Sequence, residues 1–191
     1  LTKALPFVGH RQTRNRGTAG GSIVHGHTQA GVALVAQTLD ATLLIRSLTG
    51  EKSRAIDGFF KAPMMTALAP NECLVDVRFP EWDECGPIGT GFHEVASRAG
   101  DFAIVAAAAQ IGLDEDGACV AAAIGIGGAH PFPRKAAKAE AVLIGQVPTE
   151  DIIAEAAEAA ADGIEAMDDV HASSGYRLRV ARGLARSEEH T

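Results

Sequence analysis

The chain has 191 residues, 47% of them hydrophobic, with a formal net charge of −7. That size can bury a respectable core, as one large domain or two small ones. The acidic balance, with no compensating basic stripe, argues against nucleic acid, and no apolar run approaches the roughly 20 residues of a membrane helix.

The first informative stretch is Arg14-Asn15-Arg16-Gly17-Thr18-Ala19-Gly20-Gly21-Ser22, which places basic side chains, hydroxyls and glycines in one short loop. Glycine lets backbone turn sharply and approach a ligand, and successive N–H groups in such a turn form a nest for an anion. Arg and hydroxyl donors complete it, a chemistry that suits a pyrophosphate. A plain Gly-rich turn between two elements is the alternative. Ile23 and Val24 would anchor the loop to a core.

Residues 30–39 are apolar enough for a buried helix or strand, and periodicity does not choose between them. Residues 41–46 read as a strand, 49–52 as a turn and 53–56 as a short return strand. Asp57 to Phe60 fits a short helical turn limited by Pro63. Leu74 to Phe79 alternates like a half-buried strand, and residues 80–91, with Gly86, Pro87 and Gly89, form the expected domain boundary. Beyond it, residues 92–97, 104–113 and 118–126 read as three strands, the last two joined as a hairpin by Asp114-Glu115-Asp116-Gly117. Pro133 is expected to start a helix ending near Gly145, Thr149 to cap a second that Gly163 stops, and a last helix to run from about Ser174 to Ala185. A small sheet followed by helices is an α+β pattern, not a chain of βαβ units.

Other chemical candidates are weaker. In Gly125-Ile126-Gly127-Gly128 the third glycine of a dinucleotide fingerprint would fall at His130, so a tight strand-to-helix turn is the better reading. His25 and His27 alone leave zinc short of four ligands, which favours solvent-facing or ligand-lining histidines. The acidic clusters at 114–116 and 168–169 read as solvated turns. Cys73, Cys85 and Cys119 are odd in number and widely spaced, so reduced thiols and a cytoplasmic location are expected. No G-x-S-x-G elbow points to a hydrolase.

Taken whole, Val8 to Ile23 resembles the second flavin loop of the FAD-binding medium subunit of molybdenum hydroxylases, the carbon-monoxide dehydrogenase and xanthine dehydrogenase family. Ala67 to Leu74, Phe92 to Ala103 and Asp169 to Arg177 resemble later segments of the same subunits in the same order. The resemblance implies the C-terminal portion of a PCMH-type FAD-binding domain over residues 1–80. A sheet-plus-helices domain of the CO dehydrogenase flavoprotein C-terminal type follows over 88–185. About the first half of the flavin domain, with another Gly-rich loop, is expected upstream of Leu1. Residues 186–191 depart from the family pattern and are set aside as a non-native tail.

The cofactor implied is FAD, with a molybdenum cofactor and [2Fe–2S] clusters on partner subunits, one large and one small. Electrons would pass from those clusters through FAD to an external acceptor. By the same resemblance, Gly17, Thr18, Ala19, Gly20, Gly21 and Ser22 match the loop around the FAD pyrophosphate. Val24, His25 and Leu74 match positions lining the cofactor, and His93 falls where xanthine dehydrogenase relatives carry a lysine near the flavin. Asn15 and Arg16 are expected to shape the loop, and no side chain is assigned a catalytic role. Two positions depart from the family: Gly31 stands where relatives usually have a carboxylate, and Gly26-His27-Thr28 where many read Ala-Asp-Pro. A subunit of the same complex that has lost its flavin is one alternative, and a flavin oxidase of the vanillyl-alcohol-oxidase type another. The segment from Phe92 onward disfavours the oxidase.

Overall fold

The computed structural model describes residues 1–83 and 85–188. A short 3-10 turn (Leu5–Phe7) leads into α1 (Arg11–Arg16), α2 (Ala19–His25) and α3 (Gly31–Thr38). The stretch expected to be one glycine-rich loop is therefore the junction between two short helices. Gly17 ends α1, its N–H bonding back to the Thr13 carbonyl at 2.8 Å. Thr18 stays extended, and its hydroxyl accepts from the Gly21 N–H at 2.9 Å. That cap satisfies a donor the first turn would otherwise leave bare, and it offsets the poor helix propensity of two glycines. Residues 30–39 resolve to a helix. Every residue from Val32 to Thr38 is buried, and burial on all sides erases the amphipathic period that would have identified it.

Three strands follow as an antiparallel sheet in the order β2-β1-β5: β1 (Thr42–Ser47), β2 (Gly50–Ala55) and β5 (Glu72–Arg78). The hairpin loop is tighter than expected, because Ser47 already pairs with Gly50. Between β2 and β5 the chain turns at 57–59 without forming helix. It then makes a small hairpin of β3 (Phe60–Ala62) and β4 (Met65–Thr66) around Pro63. Ile23, Ala33, Leu43, Ile45, Ile56 and Phe59 fill the core between this sheet and the helices.

The second sheet has four strands rather than three, in the order β6-β7-β8-β9: β6 (Ile88–Ala96), β7 (Ala103–Leu113), β8 (Cys119–Gly127) and β9 (Arg134–Lys135). β6 begins inside the glycine-rich stretch read as a boundary, since Gly89 pairs with Ile111 and Gly91 with Ala109. Pro133 precedes the two-residue β9, so the first helix, α4 (Ala137–Leu143), starts later than expected. α5 (Glu150–Ala160) is capped as expected by Thr149, whose hydroxyl accepts from the Ile152 N–H at 3.5 Å. α6 (Ser174–Glu188) continues past Ala185, while residues 189–191 of the expected tail lie outside the described residues.

β7 alternates between two buried layers. Val105, Ala107, Ala109 and Ile111 face α4, α5 and α6, whereas Ala106 and Ala108 join Phe92, Leu34 and Val35 on the α3 side. α3 therefore belongs to both halves of the molecule. Its seat on β8 explains Gly125 and Gly127: a Cβ at Gly125 would stand 2.0 Å from Thr38 Oγ1, and one at Gly127 3.1 Å from Leu34 Cδ2. The Gly-x-Gly-Gly run is a packing surface. On the other face Arg177 of α6 is fully buried, donating to the carbonyls of Ile104 (2.6 Å) and Gly128 (2.8 Å) and to both carboxylate oxygens of Asp169 (2.7 Å each). Burial alone would raise the Asp169 carboxyl. The His171 and Ala172 N–H groups and Arg177 overcome that and hold it below the usual range.

Candidate functional site

A cleft of about 940 Å³ opens between the α1–α2 segment and the sheet of the second half. That volume lies at the upper end for small-ligand sites and suits an extended dinucleotide. One wall is built by the helix junction, with Arg16, Gly17, Thr18, Ala19, Gly21, Ser22 and His25 on it. The Thr18 cap takes up the Gly21 N–H, the N–H groups before it have no intrahelical partner, and Arg16 adds a cation to the same wall. A Cβ at Gly21 would press on the capping hydroxyl at 2.9 Å, so the cap and the glycine require each other. Arg14, beside the Asn15 and Arg16 expected to shape the loop, has a shaping role of its own. It donates to the carbonyls of Gly9 (2.6 Å) and Val8 (3.2 Å) and braces the turn before α1.

The facing wall comes from β6, the turn after it and the start of β7: Glu94, Gly100, Asp101, Phe102 and Ala103. His27 stacks on Phe102 with ring centroids 3.9 Å apart and planes 11° apart, and His25 stacks on His27 at 6.0 Å. His27 Nδ1 accepts from the Gln29 N–H at 3.3 Å, which puts the proton of the neutral ring on Nε2. Burial, and then the neighbouring His25, lower its pKa. His27 and Phe102 thus present flat, stacked rings beside the cleft. Phe102 remains 59% exposed, which leaves an aromatic ring open to the cleft.

Of the residues expected from sequence, Gly17, Thr18, Ala19, Gly21, Ser22 and His25 line this cleft. Gly20, Val24, Leu74 and His93 do not. Gly20 lies on the β5 side of α2, where a Cβ would come within 3.8 Å of Leu74 Cδ2. His93 is exposed and pairs with Ala107, a residue of the helix-side layer, so it stands on the sheet face away from the cleft. Its neighbour Glu94, paired with Ala106, faces inward. Strand alternation counted from a buried Phe92 was the signal that would have chosen Glu94 over His93. Glu94 is half-buried, and desolvation raises its pKa to about 7. The position lacking a carboxylate, Gly31, is packed instead: a Cβ there would meet the Phe92 ring at 3.1 Å.

Among the described residues no three His, Cys, Asp or Glu side chains gather into a metal site, and no helix is long and apolar enough to cross a membrane.

Residues 1–82 match the family described as FAD binding domain in molybdopterin dehydrogenase, and residues 90–187 the CO dehydrogenase flavoprotein C-terminal domain. The chain is 35% identical over 186 residues to the 6-hydroxypseudooxynicotine dehydrogenase complex subunit alpha of Paenarthrobacter nicotinovorans, covering 96% of this chain and 62% of that one. It superposes on quinoline 2-oxidoreductase from Pseudomonas putida 86 with a TM-score of 0.89 and 36% identity, over 98% of this chain and 64% of the other. Carbon monoxide dehydrogenase from Hydrogenophaga pseudoflava gives a TM-score of 0.89 at 26% identity, over 96% and 63%. The chain thus spans a little under two thirds of the length of these relatives. With both segments matched in order and the fold shared throughout, the chain belongs to the family of FAD-binding medium subunits of molybdenum hydroxylases.

Proposed function

We propose that the cleft between α2 and β6 holds FAD non-covalently, and that the subunit serves as the electron-transfer flavoprotein of a cytoplasmic molybdenum-hydroxylase-type dehydrogenase. The observation that carries this reading is the pairing of two unlike walls: capped helix start and cation on one side, stacked aromatic rings on the other. The fit to the cofactor is chemical. Bare N–H groups, Arg16 and the Thr18–Ser22 backbone suit a pyrophosphate, while His27 and Phe102 suit a planar ring. Gly17, Thr18, Ala19, Gly21, Ser22 and His25 are the proposed contacts from α2, with Gly20, Val24 and Leu74 supporting that helix from behind. The flavin-side role foreseen for His93 passes to Glu94.

Bound FAD would supply the redox chemistry, accepting electrons from [2Fe–2S] clusters on a small partner subunit for delivery to an external acceptor. A larger partner would carry the molybdenum cofactor and the substrate. The protein's own part is to bind, orient and exclude water. An absorption spectrum of the subunit purified with its partners tests the reading. Flavin bands near one per subunit, released on denaturation, are expected. Flavin that stays attached after denaturation refutes the non-covalent claim.

One observation favours a second reading, a flavin-less scaffold in the same complex. Gly31 brings no carboxylate to the cleft, and Phe92 occupies the space beside it. A purified complex with intact metal centres and no flavin would decide for the scaffold.

A further inference from the structure

Glu94 sits on the cleft wall formed by the second half of the molecule, beside the turn that carries Asp101 and Phe102. Across β6–β7 its partner is Ala106, so its own sheet brings it no polar neighbour. Among the described residues no hydrogen bond or ion pair reaches its carboxyl. The other titratable or charged groups on the cleft are His10, Arg14 and Arg16 from the α1 segment, His25 and His27 at and after the end of α2, and Asp101. Arg14 is committed to the carbonyls of Val8 and Gly9. Asp101 accepts from Arg98 Nε at 3.1 Å, which leaves Glu94 as the unpaired carboxyl of the site.

We propose that Glu94 is a cofactor-binding residue that acts as a neutral carboxylic acid, donating its proton as a hydrogen bond to an acceptor atom of bound FAD. The proposal rests on the cleft being the FAD site. Its physical basis is twofold. A ligand closing the cleft removes water from an already half-buried carboxyl, and the ligand's own pyrophosphate is anionic, so both effects disfavour the carboxylate. The neutral form also gains what the carboxylate lacks, an O–H donor facing the flat, acceptor-rich ring system that His27 and Phe102 suit. Desolvation already places the free carboxyl's midpoint at about 7, so at neutral pH it is divided between the two forms before any ligand enters.

The consequence is proton linkage. Above about pH 7 the free protein has lost the Glu94 proton while the complex retains it, so binding FAD takes up a proton. The apparent Kd then rises by up to tenfold per pH unit until the pKa of the complex is reached. Below that window Glu94 is neutral in both states and its linkage vanishes.

The test titrates FAD into the flavin-stripped full subunit by calorimetry at pH 6 and pH 8, in buffers of different ionisation enthalpy, for the wild type and Glu94→Gln. The wild type should take up close to one proton per FAD at pH 8 and bind about tenfold more weakly than at pH 6. Glu94→Gln, always neutral and still a donor, should bind equally well at both and take up none. A linkage of the same size in Glu94→Gln overturns the proposal and assigns the proton to His10, His25 or His27. A wild type with no uptake at pH 8 overturns it too. Failure of the wild type to bind FAD at any pH removes the cleft as the flavin site, and the role of Glu94 with it, whereas loss of binding in Glu94→Gln alone overturns the claim that a neutral donor suffices there. Glu94→Asp, which keeps the proton but shortens the reach, should retain the uptake and lose affinity at both pH values.

Discussion

Gly125→Ala is the substitution whose cost is most directly set by this structure. The new Cβ would stand 2.0 Å from Thr38 Oγ1 and 3.1 Å from both Thr38 Cβ and Leu34 Cδ1. Two effects favour alanine: a less flexible unfolded chain, worth about 0.5–1 kcal/mol, and one more buried methyl, worth about 0.8 kcal/mol. Against them stands a contact that must open by more than an ångström. Rotating Thr38 away sacrifices its hydrogen bond to the Leu34 carbonyl (2.8 Å) and strands a buried hydroxyl, costing about 1–3 kcal/mol. Lifting α3 off β8 instead strains a tightly packed layer by a similar amount. Set against that gain of about 1.5 kcal/mol, both penalties incurred in part leave a net loss of about 1–2 kcal/mol, which lowers the melting temperature of a chain this size by roughly 2–8 °C. Calorimetric melts of Gly125→Ala, Thr38→Ala and the double variant form a cycle. Thr38→Ala should recover at least half the loss, because it removes the clashing oxygen. A single variant that melts within about 1 °C of wild type, or a double variant with no recovery, would refute the packing argument.

The remaining predictions concern the cleft and its supports. Gly21→Asp should reduce FAD affinity by at least about a hundredfold in a fluorescence titration. Its carboxylate crowds the Thr18 cap and repels the pyrophosphate by roughly 1–4 kcal/mol at contact range; unchanged flavin content would remove this helix start from the site. Arg177→Met should lower stability by about 3 kcal/mol or more in urea melts, because it strips a fully buried guanidinium from two carbonyls and leaves Asp169 without its cation. Asp169→Asn should flatten the acid limb of the stability curve. A carboxyl held below its unfolded pKa of about 3.9 contributes above that value and loses its contribution as pH falls through the folded one. Glu94→Gln should stabilise the flavin-free protein above pH 7 and leave it unchanged near pH 4, since a carboxyl raised by burial to about 7 costs stability as pH climbs from its unfolded value of about 4.3 through the folded one. Melting curves at the two pH values check the sign.

Much of the fold was legible where a local signal was strong. Thr149 before Glu150 and Asp151 announces α5, and the Asp114–Gly117 turn announces the β7–β8 hairpin. The failures share a cause, which is that tertiary contacts overrode local preference. Two glycines after Thr18 argue for loop, yet a side-chain cap and the packing of Ile23 make a helix. Glycines at 89 and 91 argue against strand, yet pairing with β7 makes them part of β6. The α2 half of the cleft was legible because its residues are contiguous. The other half was not: Glu94 and Phe102 reach the cleft only through the register of β6 on β7 and the turn that follows, and no spacing in the chain encodes which face of a strand meets a distant helix.

The alanine run of β7 has a consequence for how this molecule tolerates change. Ala106, Ala107, Ala108 and Ala109 are buried in succession, on both faces of a central strand. A methyl is all that separates the sheet from the helix layer on one side and from α3 on the other. Removing one methyl leaves a void smaller than a water molecule, whereas adding one displaces a whole layer. Variation along this strand should therefore be lopsided, with glycine and serine accepted more often than valine or leucine, although the latter are the better strand formers. The spacing between the two halves, and with it the width of the cleft, is set by the smallest side chains in the protein.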